Sequence, residues 1–169
     1  NAVVMGSFNW PLPIKTGGIT GGTTGPANTI TDAFTNTTAI QRTATYTVTP
    51  TSAAGCGGSG VVVVISVDPK PILTAGLVQT VCSDVVTSRA LTITNAVVMG
   101  TYSWLAPVNT GGMTGGSAAS GNTIAQTFTS ITAGDQSATY SVTPQSLAGC
   151  NGSAVNVVIT VRPKPVLTA

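Results

Sequence analysis

VVVVISVDPKPILTAGLVQTVC, residues 61–82, is the stretch on which the whole sequence turns. Its first seven residues are an apolar, mostly β-branched run of strand length. Asp-Pro-Lys-Pro ends that run, because each proline fixes its own φ and holds the residue before it in extended backbone. A second short apolar segment then leads to Cys82. The stretch reads as the last strand of one domain, a stiff joint, and the start of another domain. Outward from it the sequence recurs. Residues 1–75 and 95–169 align without a gap at an offset of 94, and 44 of the 75 paired positions are identical. NAVVMG opens both copies, and PKPILTA or PKPVLTA closes them. The expected organisation is a partial first repeat over 1–73, an essentially complete second repeat over 74–169, and a joint around 68–76. The front of the first repeat, some 19 residues resembling 76–94, is expected to precede Asn1.

The apolar pattern has period two throughout, with no sustained helical spacing. ATYTVTP at 44–50 alternates strictly, placing Ala44, Tyr46 and Val48 on one face. Ala138, Tyr140 and Val142 repeat this. VVVVISV is apolar on both faces, so the second copy decides its register. In VNVVITV the polar residues are Asn156 and Thr160, so Val155, Val157, Ile159 and Val161 face inward. The same register assigns Val61, Val63, Ile65 and Val67 to the core, since a slip of one residue would bury Asn156. Residues 90–99 read as a strand with Leu91, Ile93, Val97 and Met99 on one face. Residues 28–35 and 122–129 read as strands with an edge or bulge near Asp32 or Gln126. Six or seven short antiparallel strands per period, separated by Gly, Pro and Ser turns, predict an all-β fold of tandem immunoglobulin-like β-sandwiches with a 94-residue repeat. Trp10, Trp104, Tyr46, Tyr140, Phe34 and Phe128 are the expected core aromatics.

Six Lys or Arg and four Asp, with no Glu and no His, leave a net charge of +2. Thirty threonines take over the work of keeping the surface wet. So few cations make no nucleic-acid footprint. No apolar run reaches the length of a membrane span. Without His or Glu, these residues supply no Ser-His triad, Cys-His pair or Glu acid/base couple. The three aspartates that have a counterpart do not recur: Asp32 aligns with Gln126, Asp68 with Arg162, and Asp135 with Gln41. Asp84 lies outside the aligned copies. No catalytic site, cofactor or metal is expected. The loops TGGITGG and TGGMTGG lack the Gly-Lys-Ser/Thr ending of a phosphate loop and read as turns. Asn36-Thr37-Thr38 and Asn151-Gly152-Ser153 match the glycosylation sequon.

Pro69, Lys70 and Pro71, with Pro163, Lys164 and Pro165, form the joints, and the two lysines are expected to keep them solvated. Each period carries an early and a late cysteine. If the strands of a seven-stranded sandwich simply alternate in direction, the turn before the last strand shares a pole with the start of the first. Cys82 is then expected to pair with Cys150, and Cys56 with a cysteine before Asn1. Disulfides would place the protein outside the cytoplasm.

Three segments together resemble a known family: Gln79-Thr80-Val81-Cys82-Ser83, the run from Tyr140 through Pro144 to Gly149-Cys150, and Val157 through the closing Pro-Lys-Pro. They resemble the PKD-like repeats of giant surface proteins of Bacteroidota, including gliding-motility adhesins. The chain departs from PKD domains proper, whose Trp-x-Phe-Gly-Asp-Gly signature is replaced here by Trp104-Leu105-Ala106-Pro107. The resemblance implies type IX secretion, display on the outer cell surface, and stalks or filaments. It brings no binding residues. The expected function is a non-enzymatic structural repeat of a long extracellular adhesin or surface filament, in gliding motility or surface attachment. Its expected partners are neighbouring repeats, other filament subunits or surface polysaccharide, with no nucleic acid and no membrane span. The alternative is a carbohydrate-binding module in each repeat.

Overall fold

A computed structural model describes residues 4–165 and is all-β, with no helix among the described residues. Two compact units divide the chain, Asn1–Lys70 and Pro71–Ala169. The division falls inside the 68–76 stretch because residues 71–74 already belong to the second unit. Leu73 is buried there, and Thr74 N–H donates to Thr92 O while Thr94 N–H donates to Ile72 O.

The first unit contains β1 (Met5–Asn9), β2 (Ile14–Lys15), β3 (Thr20–Gly21), β4 (Phe34–Thr35), β5 (Arg42–Ser52) and β6 (Val61–Val67). The eleven-residue β5 is central. One of its edges carries β1 and β2, and the other pairs antiparallel with β6, from Arg42↔Val67 to Val48↔Val61. β3 pairs with β4.

The second unit contains β7 (Val78–Cys82), β8 (Arg89–Ala90), β9 (Met99–Trp104), β10 (Val108–Asn109), β11 (Thr114–Gly115), β12 (Ala119–Ser120), β13 (Thr123–Ile124), β14 (Phe128–Thr129), β15 (Gln136–Ser146) and β16 (Val155–Arg162). Here β15 takes the central place, flanked by β9 and β10 on one edge and β16 on the other. The pairing β15–β16 runs from Gln136↔Val161 to Val142↔Val155, the register of β5–β6 shifted by 94. β16 then gains one more partner. β7 lies parallel to it, from Val78↔Val158 to Cys82↔Arg162. Short ladders β8–β13 and β11–β14 supply the opposing layer.

The core of the second unit runs between these layers. Tyr140, Val142, Val157, Ile159 and Val161 face Leu77, Leu91, Met113, Ile124 and Phe128. The three central β16 side chains are 0% exposed, the consequence of alternation with Asn156 and Thr160 turned outward. In the first unit the corresponding face is open. Val61 is 59% and Val63 37% exposed, against the expectation that they are buried. The register is the same in both strands. What differs is that residues 71–94 cover this face in the second unit.

Two expected strands are interrupted. Over residues 87–99 the alternation of inward and outward side chains persists, but the partner changes: after β8 the chain bridges to Leu73 through Ile93, and Ala96 takes φ +49 before β9 begins. Residues 122–129 split into β13 and β14. The buried Thr87 sits at that split: its hydroxyl donates to Ile124 O (2.9 Å) and accepts from Gln126 N–H (2.8 Å). A side chain thus replaces the missing strand partner, which satisfies buried backbone groups that would otherwise be orphaned.

Candidate functional site

The aromatic side chains form a cluster in each unit. Tyr46 meets Trp10 and Phe34 edge-on at centroid distances of 6.4 Å, and Tyr140 meets Trp104 at 6.4 Å and Phe128 at 6.3 Å. These are the T-shaped arrangements favoured by the ring quadrupole. Trp10, Tyr46, Trp104, Phe128 and Tyr140 are buried, and Phe34 is half-buried. Phe8 is half-buried and Tyr102 buried, so each of the eight aromatic side chains is at least half-buried.

The Gly-rich loops close over these clusters. Ile19 and Met113 plug the core at 4% and 5% exposure. The glycines behind them let the backbone pass close to the rings. At Gly116, with φ +78, a Cβ would come within 2.7 Å of Tyr140 Oη and 2.8 Å of Phe128. The loop is a lid on the core with its own ladder, β11–β14, and no helix follows it.

Polar chemistry is sparse and differs between the units. Asp32 accepts from Thr23 Oγ1 (2.6 Å), from Thr23 N–H (3.0 Å) and from the Tyr46 hydroxyl. Thr23's hydroxyl, and then that of Tyr46, hold Asp32 below the usual carboxylate range. Burial, reinforced by Asp32, pushes Tyr46 up to about 12. At the matching place Gln126 accepts from Ser117 (3.2 Å), and burial alone takes Tyr140 to about 12. Its hydroxyl and the indole N–H groups of Trp10 and Trp104 are buried without hydrogen-bond partners. No group of three or more metal-ligating side chains comes together among the described residues.

At the joints, Pro69 and Pro71 are buried, whereas Lys164 and Pro165 are exposed. Lys70 N–H donates to Asn36 O (2.9 Å) within the first unit. Lys164 does more than solvate its joint. It forms an ion pair with Asp84, which also accepts from Thr129 Oγ1 (2.5 Å), and these two contacts, Lys164 first, lower the Asp84 pKa. Asp84 takes φ +65 to reach them. This clasp ties the loop after β7 to the end of β16.

The cysteine pairing requires correction. Among the described residues, Cys56, Cys82 and Cys150 form no disulfide with one another. Because β7 runs parallel to β16, Cys82 lies level with Arg162, at the far end of that strand. Cys150 sits in the turn before β16 begins, with its N–H donating to Ser146 Oγ (3.1 Å). An eight-residue strand separates the two ends. At about 3.3 Å per residue that is more than ~20 Å, against the ~4.4–6.8 Å between Cα atoms that a disulfide spans. The assumption that failed was simple alternation of strand direction. Cys56 occupies the equivalent turn and is exposed; the partner expected for it lies outside the described residues. One sequon also falls. Asn36 is 2% exposed, and its Nδ2 donates to Ile40 O (2.9 Å) and Val67 O (2.8 Å), so the amide nitrogen that would carry a glycan is engaged. Asn151 remains exposed.

Among the described residues the β7–β16 pair is the one parallel ladder. Sequence pattern gave no sign of it, since period-two alternation is blind to strand direction. The family model of the PKD-like domain matches the chain twice, over residues 2–71 and again over 79–165. No curated protein matches the chain. No solved structure matches it either.

Proposed function

As a chain that belongs to the PKD-like domain family, a family whose domains are typically extracellular, it carries a fold of structural and adhesion-type use, and we propose that it is a load-bearing spacer of a long surface adhesin or filament. In this reading it is displayed on the outer cell surface, has no catalytic role, and takes neighbouring repeats or other filament subunits as its partners. The gliding adhesins of Bacteroidota and their type IX secretion route are the setting that the sequence resemblance suggests.

The parallel β7–β16 pair carries the proposal. The second unit starts at Pro71, shortly before β7, and β16 ends at Arg162. Tension applied through the two ends pulls β7 backwards along its own direction and β16 forwards along the same axis. The cross-strand hydrogen bonds lie across that axis, so they are sheared together and not peeled one at a time. Val158 N–H donates to Leu77 O at one end of the ladder and Ser83 N–H to Arg162 O at the other. The Lys164–Asp84 ion pair closes the same end. The rest of the chain supports the reading: each aromatic side chain is at least half-buried, and the three aspartates that have a counterpart in the other copy do not recur.

The test is to pull the 169-residue chain through its ends and compare it with Gln79→Pro. Gln79 supplies an interior N–H in the alternating parallel pattern, which proline lacks. The intact second unit is expected to unfold at high force, and the variant at markedly lower force. Equal unfolding forces would contradict the spacer reading. Saturable binding of the chain to surface polysaccharides on a glycan array would favour the carbohydrate-binding alternative.

A further inference from the structure

β7 is the outermost strand of the second unit's large sheet, and only one of its two sides is paired. Val158 N–H donates to Leu77 O, and Ser83 N–H donates to Arg162 O. The register between them is continuous, from Val78↔Val158 to Cys82↔Arg162. The parallel pattern therefore turns the N–H and C=O groups of Gln79 and Val81 toward β16. Those of Val78 and Thr80, and the Cys82 N–H, face the other way. They meet no partner among the described residues, and Cys82 O accepts from Val85 N–H in the turn that follows (3.2 Å). Val78, Thr80 and Cys82 are all exposed. Proteins guard such an edge with shortness, proline, lysine or a bulge. The opposite margin of the sheet is short, since β10 and β12 have two residues each. β7 has five, with no proline, no charge and no bulge.

We propose that this edge joins the second unit to a second copy of the chain, with β7 pairing antiparallel to the other copy's β7 about a two-fold axis at Thr80. That register uses every outward group. Thr80 and its copy exchange two N–H···O bonds, and on either side Val78 of one chain pairs with Cys82 of the other. The chemistry favours the same chain as partner. A two-fold contact brings each residue close to its own copy, and like charges directly opposite repel. From Gly76 to Ser83 the sequence carries no charge. Self-pairing therefore meets no repulsion, and an acidic or basic partner finds nothing on the strand to attract it. The mode is strand addition, in which main-chain hydrogen bonds give the affinity. A five-residue ladder covers less than the ~800 Å² per partner of a standard interface, so each contact is weak, and chains that present several such edges gain by linkage. The proposal rests on the spacer reading and names its filament partner. It fails separately from that reading, because force resistance uses the inner side of β7 and association uses the outer side.

The experiment follows the full 169-residue chain by sedimentation equilibrium from micromolar to millimolar concentration, with amide hydrogen exchange read at both ends of the range. A monomer–dimer equilibrium is expected, with exchange at Val78, Thr80 and Cys82 slowed several-fold at high concentration. Thr80→Pro removes one outward N–H, and Thr80→Lys sets like charges on the axis without touching the main chain. Both variants are expected to stay monomeric while Gln79 and Val81, in the inner ladder, keep their protection. Added salt is expected to bring back dimers of Thr80→Lys and not of Thr80→Pro. Should proline also loosen the inner ladder, Thr80→Lys alone decides. Three outcomes overturn the proposal: a chain that is monomeric at every concentration, a dimer whose slowed amides lie on β6 or another strand and not on β7, or a Thr80→Lys chain that dimerises as well as the parent at low salt.

Discussion

β6 and β16 are nearly the same strand, VVVVISV and VNVVITV, in the same register on nearly the same central strand. Yet Ile159 is 0% exposed, while Ile65 is only half-buried and Val63 is 37% exposed. Of the two, the first unit's strand is the more hydrophobic and the less buried. Burial is therefore not a property that a strand carries in its own alternation. It depends on a second layer, and here that layer comes from residues far outside the strand, 71–94. The covering segment brings more than apolar area. Thr87 and Ser83 supply buried hydroxyls to Gln126 and Ser130 N–H groups, so it also satisfies backbone that no ladder reaches.

The sharpest way to break the comparison is to cut the same side chain from both strands. Ile159→Ala removes a fully buried side chain and is expected to cost about 2–5 kcal/mol of second-unit stability. Ile65→Ala, at a partly open site, is expected to cost about 1 kcal/mol in the first unit. Urea titration followed by amide signals from each unit separates the two values. Equal losses would mean that the first unit's face is covered as well.

Next in size is the staple. Thr87→Val keeps the shape and removes the hydroxyl, leaving the Gln126 N–H without its acceptor inside the second unit. The expected loss is about 1–3 kcal/mol, confined to the second unit and read from the same titration. An unchanged midpoint would assign the strand break to Gln126 itself.

A smaller effect comes from the tyrosines. Tyr46 and Tyr140 both sit near 12, above the ordinary value of about 10. A raised folded-state value means that the native form holds the proton more tightly. The stability this contributes is complete below pH ~10 and is lost as pH climbs from there toward 12. Asp32 and Asp84 act at the other end, because their lowered values contribute stability that disappears as pH falls below the ordinary carboxylate range. Tm is expected to be flat between pH 5 and 8, with a decline on each side. Asp32→Asn takes the negative charge from Tyr46 and leaves burial as the main cause of its shift, so its phenolate absorbance is expected to rise at lower pH than in the parent chain. No change would place the whole shift in burial, as for Tyr140.

The least disruptive test labels thiols. Cys82 and Cys150 are at opposite ends of β16, so all three cysteines are expected to alkylate without reductant. Protection of Cys82 and Cys150 together would restore the pairing that the parallel strand rules out.

Much of this was legible in the residues. Asn156 and Thr160 mark the outward face of β16, and that marking sets the register of β15 and β16. The strict alternation around Tyr46 and Tyr140 picks out the central strands. The direction of β7 was not legible, because alternation looks identical in parallel and antiparallel strands, and the disulfide expectation failed with it. The gap between β13 and β14 was hidden for a different reason: its cause is a threonine hydroxyl 39 residues from Gln126. The exposure of β6 was hidden because local sequence does not report what lies across a groove. A lysine between two prolines reads as solvating a joint, and only the left-handed turn at Asp84 shows Lys164 as half of a clasp.

Hydrogen exchange at four amides tests the central claim most directly. Val158 and Thr160 lie in the ladder between β16 and β7, whereas their counterparts Val64 and Ser66 lie on the open edge of β6. In the chain alone, Val158 and Thr160 are expected to be strongly protected and Val64 and Ser66 to exchange at rates close to those of exposed backbone. Equal protection at all four would contradict the account, since β6 would then have a partner and the two units would not differ in what covers them.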